Sequence, residues 1–422
     1  MQIKSYIKNN TEKVKAFGGA FVFWLVAGIA VGLLCGALGA AFSKSVSFVT
    51  ALRAENKWLI YLLPVGGLLS VAVYKLCRVE GRGTNQVFES VRSEKPLSFL
   101  LAPAVFIGSV ITHLLGGSAG REGAALQLGG SVSALLAKIF RLDDKSRHIL
   151  TLCGMGAVFS AVFGTPIGAC VFAVEVVSVG QICSAAIFPS IISSVTAFII
   201  AGRLGVIPER FHISSIPEAG FDSLWRVMAV AVAAAAVSIV FCKSMHWGEK
   251  FLNRYIKNPF VRIFIGGVAV VLLTLIVGTR DYNGGGIEVI ERIFEQGVVR
   301  PEAFLLKIVF TVITVSAGFK GGEIVPTLFI GATLGGTLGP LAGLNPAFGA
   351  ATGISAMLCG VTNCPLATFF ICVELFGAEG MVFYAVAAAV SFVLSGYTSL
   401  YHSQHLIFSK LKEEIIDIDA KN

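Results

Sequence analysis

Charge is scarce in this sequence. Only 14% of its 422 residues are Asp, Glu, Lys or Arg, against roughly 25% in an ordinary soluble domain. Apolar residues make up 55%, and the mean hydropathy is +0.81. A soluble chain of this make-up would expose more contiguous apolar surface than folded monomers carry. The composition therefore excludes a soluble globular protein and points to one with lipid as its solvent. Histidine is also rare, with six residues. No His-Glu-x-x-His occurs, and His402 and His405 have no glutamate between them. The nine cysteines (Cys35, Cys77, Cys153, Cys170, Cys183, Cys242, Cys359, Cys364 and Cys372) lie in or beside apolar stretches, at spacings that match no zinc pattern. They read as small buried hydrophobes. No metal and no cofactor is expected. The polar first fifteen residues are followed by no small-residue cleavage site, so no removed signal peptide is expected.

What charge there is leans positive, with a formal net of +8. Basic residues gather between apolar stretches, as in Lys138, Arg141, Lys145 and Arg147, or Lys243, Lys250, Arg254 and Lys257. The connections near 53–57, 203–210 and 279–283 hold fewer. Under the positive-inside rule this asymmetry predicts a multi-pass protein of the inner (plasma) membrane with both termini cytoplasmic. A nucleic-acid surface would interleave basic and aromatic residues on a soluble module. The sequence has neither, so the lipid bilayer is the expected environment and nucleic acid is not a partner.

Stretches of about 20 apolar residues suffice to cross a bilayer. They occur at 17–43, 58–76, 98–116, 146–163, 183–202, 223–242, 260–278, 302–318 and 380–397. Between them lie pieces too short or too glycine-rich to be simple spans: 83–93, 122–139, 166–178, 285–297, 324–340, 351–360 and 365–377. Forty-seven glycines punctuate the chain, and broken membrane helices persist only where they are buried or line a cavity. The pieces repeat. Gly120-Arg121-Glu122 precedes an apolar helix ending at Gly129-Gly130, and Gly321-Gly322-Glu323 precedes another ending at Gly335-Gly336. Downstream, Pro166 to Glu175 mirrors Pro365 to Glu374 with the same spacing. The expected fold is an all-α polytopic membrane protein of two inverted repeats with many broken helices. Its parts would be an N-terminal segment 1–16, a first repeat 17–203, a linker 204–222, a second repeat 223–412 and a tail 413–422.

A lone Gly-x-Glu is ordinary helix capping, because acids suit a first turn. Two ordered motif pairs in register are not ordinary. The starts of broken helices at 83–88, 120–124 and 321–326 would present unpaired N–H groups and a positive partial charge, which is an anion site without a full cation. Glu122, ionisable and placed there, could compete with an anion as a carboxylate and withdraw when protonated. Glu323 reads as an N-cap, and Glu175 and Glu374 as pathway or structural residues alike. A different class of function is an intramembrane hydrolase, since Gly116-Gly117-Ser118-Ala119-Gly120 fits G-x-S-x-G with His113 nearby. That motif needs a strand-to-helix elbow and here sits beside an apolar helix, so the chain reads as a transporter and not an enzyme.

The run Gly116 to Ala124, followed by Leu126-Gln127-Leu128-Gly129-Gly130, resembles the G-[KR]-E-G-P signature of the CLC anion transporter family. Gly321 to Pro326 resembles its G-x-F-x-P signature, and Tyr401 matches its pore tyrosine. The resemblance spans about residues 17–412. It implies a homodimer with an anion pathway in each subunit, carrying halide anions as a channel or in exchange for protons. It also implies that Glu122 is the gating carboxylate, with Arg121, Gly123, Ile324, Val325 and Tyr401 at the anion site. The family's serine signature is replaced by Gly81-Arg82-Gly83-Thr84-Asn85, leaving Thr84 or Asn85 as the substitute donor. The internal glutamate of many family exchangers falls at Val176. The fluoride-exporting branch also lacks the serine and carries a stretch like Gly318-Phe319-Lys320-Gly321-Gly322-Glu323, but often has threonine where this chain has Val325. Chloride or a broad halide set is the leading expectation, and fluoride/proton exchange the alternative. With about twenty residues after Tyr401, tandem nucleotide-binding domains are not expected.

Overall fold

Proline and glycine set many of the helix boundaries in this chain. Proline occupies the first helical turn after residues 62, 165, 258, 345 and 364, where its missing N–H would have no partner anyway. Left-handed glycines such as Gly116, Gly164, Gly278 and Gly318 follow the last turns of others, a conformation that glycine adopts without strain. The computed structural model describes residues 2–93 and 97–420, with side chains from residue 18 onward.

The first half runs α1 (Gln2–Glu55), a 3-10 helix (Lys57–Leu62), α2 (Leu63–Leu76), α3 (Thr84–Arg92), α4 (Leu101–Leu115), α5 (Glu122–Ile139), α6 (Asp144–Phe163), α7 (Pro166–Glu175) and α8 (Ser184–Arg203). The second half repeats the order: α9 (Phe221–Tyr255), α10 (Pro259–Val277), α11 (Ile287–Gln296), α12 (Ala303–Ala317), α13 (Ile324–Leu341), α14 (Pro346–Thr362), α15 (Pro365–Phe376) and α16 (Met381–Leu394). Two equivalent pairs match in length. α5 and α13 both have 18 residues, and α4 and α12 both have 15.

Two reciprocal contacts join the halves. Gly120 and Gly322 each donate their N–H to the other's carbonyl at 2.6 Å. Farther along, the Glu175 carboxylate accepts the Leu366 and Ala367 N–H groups at the start of α15. The Glu374 carboxylate does the same for Ile167 and Gly168 at the start of α7. These are the two glutamates of the repeated Pro-to-Glu segments. Both are structural, each closing the orphan donors of its counterpart helix.

Among the described residues, seven helical stretches are long and apolar enough to cross a membrane. Their outward faces carry Phe21, Val26, Trp58, Leu76, Val240 and Leu272, all exposed, as lipid-facing surfaces require. Close approach is bought with small residues. A Cβ on Gly335 would lie 2.1 Å from the Gly349 carbonyl oxygen, and one on Gly32 would lie 2.7 Å from that of Ser193, so α13 packs on α14 and α1 on α8 backbone to backbone.

The structure moves several expected boundaries. α13, read as a short broken piece, is long and apolar enough to span, while α4, α12 and α16 at 98–116, 302–318 and 380–397 have only 15, 15 and 14 residues. The segment 351–360 is the inner part of the 17-residue α14. The backbone of 2–16 continues α1 as helix. Within 413–422, expected as a tail, Ile415–Asp419 forms strand β3, if β1 is Ser178–Val179 and β2 His405–Phe408. The three make a small sheet, β1 parallel to β2 and β2 antiparallel to β3.

Candidate functional site

The site forms where α5 and α13 begin, end to end across the Gly120–Gly322 bridge. A Cβ on Gly123 would lie 2.8 Å from the Gly322 Cα, and one on Gly322 would lie 2.3 Å from the Gly123 nitrogen. Only glycine permits that approach. No side chain caps α5, α13 or α3, whereas Asn258 and Asn345 cap α10 and α14. Three uncapped N-termini thus meet inside the protein, each with unpaired N–H groups and a positive partial charge.

Glu122 is the first residue of α5 and is fully buried. Its Oε2 accepts the Arg121 N–H at 3.0 Å, while Oε1 lies 3.6 Å from the Arg121 Nε and has no hydrogen-bond partner among the described residues. The carboxylate is packed beside Gly120, where a Cβ would come within 2.8 Å of Oε2 and 2.9 Å of the Val325 Cβ. Two cavities flank it. The first, about 520 Å³, is lined by Arg53, Arg121, Glu209, Arg280 and Val325 among others. The second, about 420 Å³, is lined by Thr84, Gln127, Lys320, Glu323, Tyr401 and His402 among others. Glu122 lines neither and sits in the wall between them.

The expected residues divide between the two sides. Arg121 and Val325 face the first cavity, and Thr84, Asn85 and Tyr401 the second. Gly123 and Ile324 lie in the wall with Glu122, and Ile324 is buried. The Thr84 hydroxyl accepts the Gln127 amide at 3.1 Å and lies 3.6 Å from where a Gly123 Cβ would be. Asn85 is occupied otherwise. Its amide donates to His402 Nδ1 at 3.0 Å, and its Oδ1 accepts from the Ser403 N–H and hydroxyl. Of the two candidates for the missing serine, Thr84 is the one beside the helix starts. Tyr401 is fully buried, edge-on to Phe88 with ring centroids 5.0 Å apart, and its hydroxyl has no hydrogen-bond partner among the described residues.

Three more residues bear on the site, and no local motif marks two of them, Glu209 and Lys307. Glu323 stands at the N-cap position as expected but makes no cap bond; its Oε2 is buried without a partner among the described residues, and the residue lines the second cavity. The repeat itself, which sets Glu323 opposite Glu122, was the signal. Glu209, in the polar linker, meets Arg121 at 2.5 Å. Lys307, fully buried on α12, donates to the Tyr282 and Gly284 carbonyls at 3.2 and 2.7 Å and faces the Phe329 ring. It holds the glycine loop that borders the first cavity. Val176, at the family's internal glutamate position, is fully buried and offers only its carbonyl, to Gln404.

The hydrolase reading finds no geometry. The Ser118 hydroxyl pairs with Thr311 at 3.0 Å and His113 Nδ1 with the Ser109 carbonyl. No hydrogen bond joins Ser118 to His113 among the described residues. Nor do the described residues contain a group of three or more side chains able to hold a metal.

A carboxylate at opposed, uncapped helix starts between two cavities is the arrangement expected of an anion transporter. The voltage gated chloride channel family matches residues 66–396. The chain belongs to the CLC family. A CLC relative from Pseudomonas syringae pv. tomato, named a chloride/fluoride channel protein, is 34% identical over 410 residues, or 94% of this chain and 90% of its own. An H(+)/Cl(-) exchange transporter of Cronobacter sakazakii is 27% identical over 82% of this chain and 80% of its own. Among solved structures, that of a CLC-type fluoride/proton antiporter superposes with a TM-score of 0.88 at 31% identity, covering 91% of this chain and 98% of that one. The all-α, multi-pass architecture of two repeats is thus the CLC fold.

Proposed function

We propose that this CLC protein carries halide anions across a membrane by letting Glu122 and the anion compete for the same helix N-termini. The observation that carries the reading is the burial of the Glu122 carboxylate in the wall between two cavities that charged side chains line. As an anion it satisfies the field of α3, α5 and α13; once protonated it is no longer held there, and a halide can take its place. Arg121 borders the first cavity and pairs with Glu122 from that side. Thr84 and Tyr401 offer hydroxyls on the side of the second, with Gly123, Ile324 and Val325 forming the backbone seat. Because Val176 cannot carry a proton, Glu323, whose Oε2 is buried, is the carboxylate nearest the helix starts among those lining that side (Glu89, Glu249 and Glu323) and would receive one. This reading makes the protein a transporter and not an enzyme, working as a homodimer in the lipid bilayer of the plasma membrane with cytoplasmic termini.

Chloride, or a broad halide set, is the leading cargo. Fluoride in exchange for protons is the second reading, favoured by the likeness to the fluoride/proton antiporter structure. It is opposed by Val325, which supplies no hydroxyl to so strongly hydrated an ion. Efflux from proteoliposomes, followed with chloride- and fluoride-selective electrodes with and without a proton ionophore, separates the two. Anion-driven uphill proton movement in the wild type, lost in Glu122→Gln with anion flux retained, is the expected result. Coupling unchanged in Glu122→Gln would remove Glu122 from the mechanism.

A further inference from the structure

The Arg121 guanidinium is shared between two carboxylates. It meets Glu209 at 2.5 Å and Glu122 at 3.6 Å, and it donates to the Ser43 hydroxyl at 3.3 Å. Arg121 is only 12% exposed and Glu209 19%, so this charge pair is screened far less than a surface one. Glu209 belongs to the linker between the repeats, and its place there is fixed on both sides. Pro208 packs directly on Gly164, where a Cβ would lie 2.5 Å from the proline ring. The Phe211 N–H donates to the Leu375 carbonyl at 2.9 Å, and its ring stacks on Phe294 with centroids 5.0 Å apart. A polar connection pinned at two points delivers a carboxylate to the arginine beside Glu122.

We infer that Glu209 is a positioning residue for the Glu122 exchange: it holds the Arg121 guanidinium and so weakens that arginine's grip on Glu122. This rests on the reading of Glu122 as the exchanging carboxylate. With Glu209 ionised, the guanidinium charge is already compensated, and Glu122 takes up a proton and leaves its seat more readily. Without that charge, Arg121 is free to bind Glu122 and keep it ionised in place. An opposite charge favours the ionised form of a carboxyl, and removing a neighbouring like charge works in the same direction. Both effects carry the same sign.

Other charged groups face the same space. They are Arg53 on α1 and Lys57 after it, His113 on α4, Arg280 and Asp281 before α11, and Glu288 and Glu291 on α11. Lys307 lies behind the loop on α12, and Glu323 lies on the far side of Gly123. All remain in every variant, so a comparison at constant salt isolates Glu209.

The test is anion efflux from proteoliposomes as a function of pH for wild type, Glu209→Gln and Glu209→Asp, each also in a Glu122→Gln background. The midpoint of the wild-type pH profile should move about one pH unit toward acid in Glu209→Gln, the lower end of what one neighbouring charge does. Glu209→Asp keeps the charge and the linker's fold but draws the carboxylate back, and should move the midpoint the same way by less. In the Glu122→Gln background neither change should move any residual pH dependence. A purely structural linker role would lower flux at every pH without moving the midpoint, and that result overturns the inference. So does a shift toward alkali, or one that survives in the Glu122→Gln background. Wild-type vesicles that pass no anion at all would instead overturn the transport reading beneath it.

Discussion

At position 325 the wall between the two cavities presents a branched hydrocarbon, buried and facing the first cavity beside the Glu122 carboxylate. Threonine has nearly the same shape and adds a donor. Val325→Thr should therefore favour the more strongly hydrated ion, which loses most when it leaves water for an apolar wall. The fluoride-to-chloride flux ratio is expected to rise by about two- to tenfold, the net worth of one hydrogen bond, and parallel electrode recordings read it directly. An unchanged ratio would place residue 325 outside the anion path. At this scale the sequence was informative where a motif carried chemistry in a few neighbours, as with Glu122 in Gly-Arg-Glu-Gly. It was silent where the partner lay far along the chain. Arg121 and Glu209 are 88 residues apart, and no local pattern marks a linker glutamate as the counter-ion of a buried arginine.

Among the elements, α3 is the most dependent on others for its position. It is nine residues long, too short to be a stable helix alone, yet its N-terminus is one of the three at the site. The chain after Tyr401 ties it at both ends. Near its start Asn85 binds His402 and Ser403; at its end Arg92 donates to the Ser403 carbonyl at 2.6 Å and to Asp419 on β3 at 3.3 Å. Asp419 also pairs with His405, and that bond, followed by the Arg92 charge, holds its carboxyl below the ordinary range. A depressed carboxyl stabilises the folded form above its unfolded value, near pH 3.9, and the contribution fades as pH falls through the lower folded value. The protection of the β3 amides, taken as their exchange rate relative to that of an unstructured chain at the same pH, should be high at neutral pH and fall below about pH 4. Asp419→Asn should show the faster exchange at pH 7, and equal protection in the two proteins would exclude Asp419 as the tie. The helices themselves were legible because glycine and proline punctuate them. The three short strands were not, since their segments of two, four and five residues are too brief for alternation to stand out, and their pairing joins β1 to a segment more than 200 residues away.

For the whole molecule, the reciprocal glutamates give a measurable signature of the duplication. Glu175 and Glu374 each close two N–H groups of the opposite repeat, at opposite ends of the paired helices α7 and α15. Glu175→Ala and Glu374→Ala should each cost about 1–3 kcal/mol by orphaning donors at buried or half-buried helix starts. Because the two ends of a ten-residue helix are about 15 Å apart, the double variant should lose close to the sum. Thermal unfolding in detergent reads all three, and a loss confined to one variant would break the equivalence of the halves. The repeat was visible in the sequence as matched spacing. That its glutamates cross over to cap the other half was not, because spacing says nothing about which copy a side chain faces. The Gly120–Gly322 bridge carries this equivalence to the centre, since each glycine gives and receives the same bond. A backbone that looks alike from either face of the membrane has no built-in arrow. Whatever directional preference the protein has must come from the side chains that differ between the halves, such as Arg121 and Glu323 just before α5 and α13, and net movement must follow the ion gradients that cells maintain.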